Sequence, residues 1–438
     1  MTAPPDRLHA LDCLRGFAML LGVVLHAGIS FATQVPAFWS VHDNAPTPLA
    51  DAFLFAVHTF RMQLFFVLAG FFGCLLYQRY GLGGMAWHRV KRVAVPLALA
   101  VMLIVPTIMA AFLYAELDNV RTRGVPEDAP DARKYAAELI AGAPDKSNAA
   151  IILERFASGG YLSKLIPAHL WFLLYLLYCY AAVVVLAPLL GRLTGTRLLA
   201  ATDGAFRRLI EGRWRVVVPT LATVPVLLTM RSWVGDTPFA WAPEWHVLAY
   251  YFGFFAFGWM LYRHRDLITA FGRRWRTNLA VANLLVLFPA MTLLYGGTQA
   301  EKAGEEVFAW RVAAFTAQAA YTWLIIVGLW GAFLHYFSRA SAWVRYLADA
   351  SYWCYLASIT PIVVLQFWVK DWPLPGLVKW ALVSAATMAL LLLSYEWCVR
   401  YTFVGALLNG RKTRPQSEVV ARTEECSVET SSPRRGVG

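Results

Sequence analysis

The sequence predicts an all-α integral membrane protein, a bundle of about ten transmembrane helices with both termini in the cytoplasm. Apolar residues make up 59% of the 438 residues and charged residues only 15%, whereas a soluble domain carries about 25% charged residues. Long apolar runs recur along the whole chain, and basic residues are concentrated in alternate connections between them. Because a soluble globule cannot bury so much apolar surface, the composition excludes soluble and disordered classes of protein.

Ten apolar runs approach or exceed the roughly 20 residues that a helix needs to cross the hydrocarbon core. They are residues 11–33, 50–77, 92–115, 169–190, 216–234, 246–262, 278–297, 309–337, 347–369 and 377–400. Each run is too long for a buried strand, and lipid favours the helix because its backbone hydrogen bonds are internal. We interpret the first run as a retained helix rather than a cleaved signal peptide.

The connections divide the chain into a polytopic membrane domain and a tail. The domain covers residues 1–408 and includes one large outer loop at about 116–168, in which a short helix is predicted near 134–141. Residues 409–438 are rich in Arg, Ser, Thr and Glu, a composition typical of a disordered segment.

The basic residues predict the orientation. With the N-terminus inside, the inner segments carry 25 Lys and Arg residues and the outer segments carry nine. Seven of these nine lie in the 116–168 loop, where eight acidic residues balance them. The positive-inside rule therefore explains the net charge of +12, and no nucleic-acid partner is expected.

The first span carries ionisable residues that are costly inside a membrane. Arg15 and His26 are 11 residues apart, three turns plus about 20°, so they share one helix face at a separation of roughly 16 Å. Asp12 precedes Arg15 by three residues on that face, and Gly22 leaves room between them for a substrate or a helix. The face predicts a catalytic site with Asp12, Arg15 and His26. The same residues also fit a snorkelling arginine and a buried, hydrogen-bonded histidine.

Two further spans add candidate substrate-binding residues. His58 and Arg61 are three residues apart in the second span and should face the bundle interior rather than lipid. His169 and Trp171 open the fourth span from the outer side. The alternatives are an arginine that braces helix ends and a histidine that merely terminates a helix.

Arg89 and Arg92 stand at the inner mouth of the third span. Their i, i+3 spacing allows both guanidinium groups to reach one anion, and arginine pairs suit phosphate through bidentate hydrogen bonds. A plain positive-inside anchor is the competing interpretation.

The remaining polar residues predict structural roles. Glu396 and Arg400 are four residues apart and predict an intrahelical ion pair, and Lys379 lies near a span end, where it can snorkel. Nucleotide-binding Gly-rich loops, serine-hydrolase elbows and zinc-protease motifs are absent from the sequence. None of the six cysteines forms a Cys-x-x-Cys pair, so neither a disulfide framework nor a metal site is predicted.

Several of these motifs, taken in order along the chain, resemble the membrane acyltransferase family three. The opening helix, LDCLRGFA at 11–18 followed by His26, and RVKR at 89–92 resemble the general family pattern. Four segments resemble its glucans biosynthesis C branch: HTFRMQLFFVLAGFF at 58–72, HLWFL at 169–173, ASYWCYL at 350–356 and VRYTFVGALLNG at 399–410. The chain departs from that branch at Gln63, where proline is common, and at Ser358, near which many relatives carry histidine.

The resemblance implies O-acyl transfer in a bacterial inner membrane. The donor would be cytoplasmic acyl-CoA, with succinyl as the acyl group, and the acceptor a hydroxyl of an osmoregulated periplasmic glucan. Arg89 and Arg92 would bind the CoA phosphates, and His26 would act as general base with Arg15 and Asp12 on its face. His58, Arg61, His169 and Trp171 would bind substrate, and no tightly bound cofactor is expected.

Two alternative functions stay open at the level of sequence. The same residues fit an O-acetyltransferase acting on another cell-envelope polysaccharide. A transporter of a glycan or polyol also fits ten spans with buried charges, and it would move unmodified substrate without consuming a thioester.

Overall fold

In a computed structural model of the protein, the described residues are 5–162, 165–191, 196–339, 341–410 and 412. Every regular element within these ranges is helical, which confirms the all-α class. The helices are α1 Pro5–Gly28, α2 Pro48–Arg89, α3 Val95–Leu103, α4 Val105–Arg123, α5 Asp131–Gly142, α6 Asn148–Ala157, α7 Trp171–Gly191, α8 Arg197–Glu211, α9 Val217–Leu227, α10 Trp245–Arg263, α11 Ile268–Phe271, α12 Trp275–Ala280, α13 Leu287–Lys302, α14 Phe308–Tyr336, α15 Ala342–Ala357, α16 Ile359–Val369, α17 Gly376–Ser394 and α18 Phe403–Asn409.

Helix α5 confirms the short helix predicted near 134–141. Single π-helical segments follow α2, α12 and α17, at Val90–Ala94, Val281–Val286 and Tyr395–Val399. The predicted disordered tail lies outside the described residues from position 413 onward.

Six helical stretches of the described chain are long and apolar enough to cross a membrane. They are His9–Phe31, Pro48–Arg123, Ala168–Leu189, Trp275–Lys302, Phe308–Tyr336 and Gly376–Val399. The bent pair α15 and α16 raises the number to seven if it forms one span. The protein is therefore a multi-pass helical membrane protein, while the count of ten spans and the cytoplasmic termini stay predictions.

Helix α1 lies at the centre of the bundle, in contact with α2, α14, α15, α16 and α17. Glycines permit these contacts: a Cβ added at Gly16 would lie 2.8 Å from the Cα of Ala348 in α15, and Gly28 faces the ring of Trp380 in α17. Small residues matter here because lipid is as apolar as the helix surface, so association depends on close van der Waals packing. The central position makes α1 the element around which the polar residues gather.

Helix α2 packs closely against α10 through two reciprocal glycines. Gly70 faces the carbonyl of Phe255, and Gly258 faces the carbonyl of Val67, with no space for a side chain at either position. Since α2 also contacts α1, the turn of α2 that carries Arg61 is held between two helices. Its polar side chains therefore face the protein interior, as the sequence predicts.

Helices α15 and α16 are two halves of one broken helix. They meet at Ser358 with a bend of 68°. A break inside a membrane leaves backbone carbonyls without helical partners, and such carbonyls must find donors within the protein. In transporters and channels such breaks line binding sites, and here the break adjoins the cluster of ionisable residues.

Candidate active site at the centre of the bundle

Four of the side chains singled out in the sequence, His26, His58, Arg61 and His169, converge inside the bundle. The guanidinium of Arg61 lies directly against the backbone of Gly22, one turn before His26 on α1. His26 interacts electrostatically with the other three side chains. Helices α1 and α2 and the 3-10 turn Ala168–Leu170, which precedes α7, thus build one basic cluster within membrane-spanning segments, and such a cluster indicates a functional site.

Arg61 is the charged centre of this cluster. Its residue surface is 7% exposed, and its Nε makes no hydrogen bond. No carboxylate of the described residues lies within ion-pair distance of it, and its remaining electrostatic neighbours are the hydroxyls of Tyr355 and Tyr251. A buried charge without a counter-ion is energetically costly. The site can therefore hold an anionic group, which would offset that cost.

His26 presents an imidazole with a free nitrogen. Its Nδ1 is buried and makes no hydrogen bond, although the residue as a whole is half-buried and retains accessible surface. The ring lies parallel to that of Trp39, with 6.3 Å between centroids and 4° between planes. A neutral imidazole held in this way can accept a proton.

Gln366 on α16 fixes the surroundings of His26. Its Nε2 donates to the backbone carbonyls of His26 and Ala27, at 3.0 Å each. Its Oε1 accepts from the indole N–H of Trp39 at 3.0 Å, and the same N–H also donates to Oγ of Ser30. One buried amide thereby joins the end of α1, the second half of the broken helix and the loop that carries Trp39.

The loop at 32–47 covers the C-terminal end of α1 and is anchored by a buried ion pair. Nζ of Lys379 lies 2.7 Å from Oδ1 of Asp43, and the two side chains are 0% and 1% exposed. Lys379 also donates to the carbonyls of Lys370 and Trp372. The prediction that Lys379 snorkels to the surface is therefore wrong, because a carboxylate from a distant loop satisfies it inside the protein.

His169 closes the break between α15 and α16. Its Nε2 lies 3.2 Å from the carbonyl oxygens of both Tyr355 and Leu356, so Nε2–H is the donor. The hydroxyl of Tyr355 donates in return to the carbonyl of His169 at 2.9 Å. His169 is thus more than a helix-end residue: it supplies the donor that the broken helix needs. Nearby, the ring of Trp171 packs against that of Tyr251 at 5.3 Å.

His58 lies at the edge of the cluster toward the loop between α9 and α10. It borders a small polar cavity together with Gly235 and Tyr250. Asp236, which follows Gly235 in that loop, accepts hydrogen bonds from the backbone N–H groups of Arg231 and Ser232. Although burial opposes the effect, these hydrogen bonds lower the pKa of Asp236 and keep its carboxylate ionised. The carboxylate fixes the loop segment that contacts His58.

Arg15, Arg89 and Arg92 form a second group, at the other end of α1. All three interact electrostatically with Tyr352, whose hydroxyl donates to the carbonyl of Arg92. Asp12 lies 3.4 Å from Arg15, and both side chains are about half exposed. The structure therefore groups Arg15 with the predicted phosphate-binding pair, whereas Arg61 is the guanidinium beside His26.

Arg89 and Arg92 differ in their surroundings. Arg89 stacks over the ring of Tyr180, with 4.6 Å between its Cζ and the ring centroid. Arg92 donates through Nη1 to the carbonyls of Ala406 and Leu407, at 3.0 and 2.8 Å, which satisfies the last turn of α18. Arg92 thus has a structural role, while its Nη2 and Nε make no hydrogen bond to the described residues.

Sequence reasoning missed Trp39, Gln366, Tyr251 and Tyr355 as parts of the site. Gln366 carried a usable signal, since it is a lone amide within the apolar α16. The aromatic residues carried none, because tyrosine and tryptophan are common at membrane interfaces. Among the described residues, no group of three or more His, Cys, Asp or Glu side chains has the arrangement of a metal site.

Comparisons with known proteins identify a family and several relatives. The family model described as an acyltransferase domain, acyltransferase family 3, matches residues 8–396. The glucans biosynthesis protein C of Salmonella schwarzengrund (strain CVM19633) is 36% identical over 103 residues, 24% of this chain and 26% of the relative. That of Escherichia coli (strain SMS-3-5 / SECEC) is 36% identical over 101 residues, 23% of this chain and 26% of the relative. The chain thus spans about a quarter of the length of these curated relatives, and no solved structure matches it.

Proposed function

Because the chain belongs to acyltransferase family 3, whose model spans residues 8–396, we propose that it transfers succinyl groups from cytoplasmic acyl-CoA to hydroxyls of periplasmic glucans. The glucan acceptor follows from the names of the relatives, and the succinyl donor from the branch motifs. The observation that carries the proposal is the buried pair of His26, with a free ring nitrogen, and Arg61, with no carboxylate partner. His26 supplies the base that acyl transfer needs, and the unpaired cation suits the binding of an anionic acyl group.

The donor binds at the inner end of α1. Coenzyme A carries several phosphates, and Arg15, Arg89 and Arg92 place three guanidinium groups around Tyr352. Charge-assisted hydrogen bonds from arginine to phosphate are strong and directional. His26 lies roughly 16 Å further along α1, so the thioester arm reaches inward from the phosphates to the cluster.

The reaction is a direct displacement at the thioester. His26 removes the proton from an acceptor hydroxyl as its oxygen attacks the thioester carbonyl. The C–O bond of the new ester forms, the C–S bond breaks, and the protonated imidazole returns its proton to the leaving thiolate to give free CoA. Arg61 supplies positive charge to the bound acyl group.

The predicted topology of ten spans, with both termini in the cytoplasm of the inner membrane, places the two groups at different depths. The stretch Pro48–Arg123 has 76 residues, roughly 114 Å as one helix, and it bends at Gly81, where φ is +69°. We propose that it crosses the membrane twice, and that α9 and α10 supply two further crossings. This topology admits donor from one side and acceptor from the other.

The proposal is tested on the glucan itself. A strain lacking its own acyltransferase is complemented with the wild type, with His26→Ala, or with His335→Ala, an exposed histidine on α14 as matched control. Mass spectrometry of extracted glucan, at equal membrane levels of protein, should show succinyl substituents for wild type and His335→Ala. His26→Ala should lower transfer by about 10²-fold to 10⁴-fold.

The other outcomes discriminate between the alternatives. An acetyl mass increment would keep the enzyme class and change the donor. Unmodified glucan in every strain, together with movement of substrate and no release of free thiol by purified protein, would favour a transporter. Full acylation by His26→Ala would overturn the role of His26 as base.

A further inference from the structure

The buried positive charge of Arg61 points to selectivity among acyl donors. We propose that Arg61 binds a carboxylate at the far end of the transferred acyl group, and so selects a dicarboxylic acyl thioester over a monocarboxylic one. This inference rests on the proposed function, and it assigns to one residue the choice between succinyl and acetyl.

No carboxylate of the described residues pairs with Arg61 in the free protein. The two buried lysines have carboxylate partners, since Lys379 has Asp43 at 2.7 Å and Lys370 has Asp118 at 2.9 Å. The buried Arg215 donates to the carbonyl of Arg273 at 2.7 Å. Arg61 has only tyrosines and histidines as electrostatic neighbours. A transient oxyanion offsets the cost of burying this charge only during the reaction. A substrate carboxylate offsets the cost of burying the Arg61 charge for as long as the substrate is bound.

Arg61 lies close to the turn of α1 that carries His26. The guanidinium occupies the notch left by the missing side chain of Gly22, four residues before His26. Four residues correspond to a rise of about 6 Å along α1. Gly22 lies between Arg15 and His26 on α1. A thioester carbonyl placed beside His26 therefore leaves a carboxylate two methylene groups away within reach of Arg61 when the acyl group turns toward Arg61 instead of continuing along α1. An acetyl group ends before that point.

A further hydrogen-bond donor, the hydroxyl of Tyr251, adjoins Arg61. The Tyr251 hydroxyl interacts electrostatically with Arg61 and makes no hydrogen bond to the described residues. The planar fork of arginine binds a carboxylate through two parallel hydrogen bonds. A carboxylate facing Arg61 can accept a third bond from Tyr251. A methyl group in that position would leave these buried donors unsatisfied.

The test compares two donors that differ only in charge. Purified protein is assayed with succinyl-CoA and with succinamyl-CoA, in which a neutral amide replaces the carboxylate, using periplasmic glucan as acceptor. We expect wild-type kcat/KM to favour succinyl-CoA by about 30-fold or more, as for a buried charge pair. Arg61→Gln should lose that preference, chiefly through its use of succinyl-CoA.

The control and the contrary outcomes separate this inference from the proposed function. Arg15→Gln should lower kcat/KM equally for both donors, because both carry the same CoA. If Arg61→Gln lowers kcat/KM equally for both donors, Arg61 stabilises the oxyanion of the reaction and the selectivity inference is wrong. If Arg61→Gln does not fold, the wild-type comparison decides, since equal use of both donors overturns the inference. If wild type transfers from neither donor nor from acetyl-CoA, the proposed function itself fails.

Discussion

Two buried cations of this protein have opposite surroundings. Lys379 is fully enclosed, with Asp43 at 2.7 Å and two backbone carbonyls as further acceptors. Arg61 is 7% exposed and has no carboxylate partner in the described chain. Lys379 holds the 32–47 loop on the bundle, while Arg61 faces the free imidazole of His26.

The difference separates charges that build the fold from charges that await a ligand. A buried pair satisfies itself, so removing one partner leaves the other stranded. An unpaired charge is costly in the free protein and becomes favourable only when a ligand supplies the counter-ion. The comparison therefore predicts opposite consequences for stability and for activity when each cation is removed.

Loss of Lys379 should give the largest change in stability. Lys379→Met leaves the Asp43 carboxylate buried without a partner, and we expect a loss of about 3–5 kcal/mol. Thermal unfolding of purified protein in detergent measures the effect. The double variant Lys379→Met with Asp43→Asn should recover most of the loss, since no unpaired charge remains. No recovery would mean that the pair contributes by packing rather than by charge.

Gly22→Ala should damage the site from the side of α1. The new methyl group would overlap Nη1 of Arg61 and displace the guanidinium, at a cost of about 1–3 kcal/mol. If the displaced guanidinium costs the reaction a similar free energy, the rate of acyl transfer should fall about tenfold or more. Gly83→Ala is the matched control, because nothing lies within 4 Å of a Cβ at that helical position. Equal activity of the two variants would contradict the placement of Arg61.

Arg92→Gln should have a smaller effect, divided between the stability of the protein and its affinity for acyl-CoA. It removes the hydrogen bonds to the carbonyls of Ala406 and Leu407, worth about 1.5–3 kcal/mol for a charged donor. It also weakens phosphate binding, so KM for acyl-CoA should rise while kcat changes little. Steady-state kinetics measures the change in KM, and thermal unfolding measures the change in stability. Lys91→Gln, which removes an exposed cation stacked on Trp87, should leave both parts close to wild type.

The smallest effect is a pH dependence at Asp236, outside the membrane cluster. Its pKa is lowered in the folded protein, so the folded state favours the carboxylate. The resulting stability is present above the ordinary aspartate pKa and is lost as pH falls through the lower folded value. Thermal unfolding between pH 7 and 3 should therefore decline more steeply for wild type than for Asp236→Asn. Parallel curves would exclude a contribution from this carboxylate.

The sequence predicted the helices better than the contacts between them. The apolar runs predicted the helical class, and the spacing of Glu396 and Arg400 predicted their ion pair, which forms at 2.7 Å. Both depend on local periodicity, which a single chain displays directly. The bend at Ser358 also has a local cause, because Pro361 lacks the N–H that would bond to the carbonyl of Ala357.

The candidate site shows the same limit. His26 and Arg61 were found because ionisable residues in spans are rare. Arg15 was assigned to the catalytic site with His26 because both share one helix face, yet a shared face does not bring residues three turns apart into contact. Lys379 was misjudged because its partner Asp43 lies in a loop more than 300 residues away. Pairing between distant segments decides which buried charge is structural, and spacing along one helix does not encode it.

The central claim is tested most directly by removing the unpaired charge itself. Thermal unfolding and glucan acylation are measured for Arg61→Met beside Lys379→Met. We predict that Arg61→Met unfolds at the wild-type temperature or above it and has lost acyl transfer, because no buried partner is stranded. If it unfolds as early as Lys379→Met and keeps the wild-type activity per folded molecule, Arg61 is a structural residue and the account is wrong.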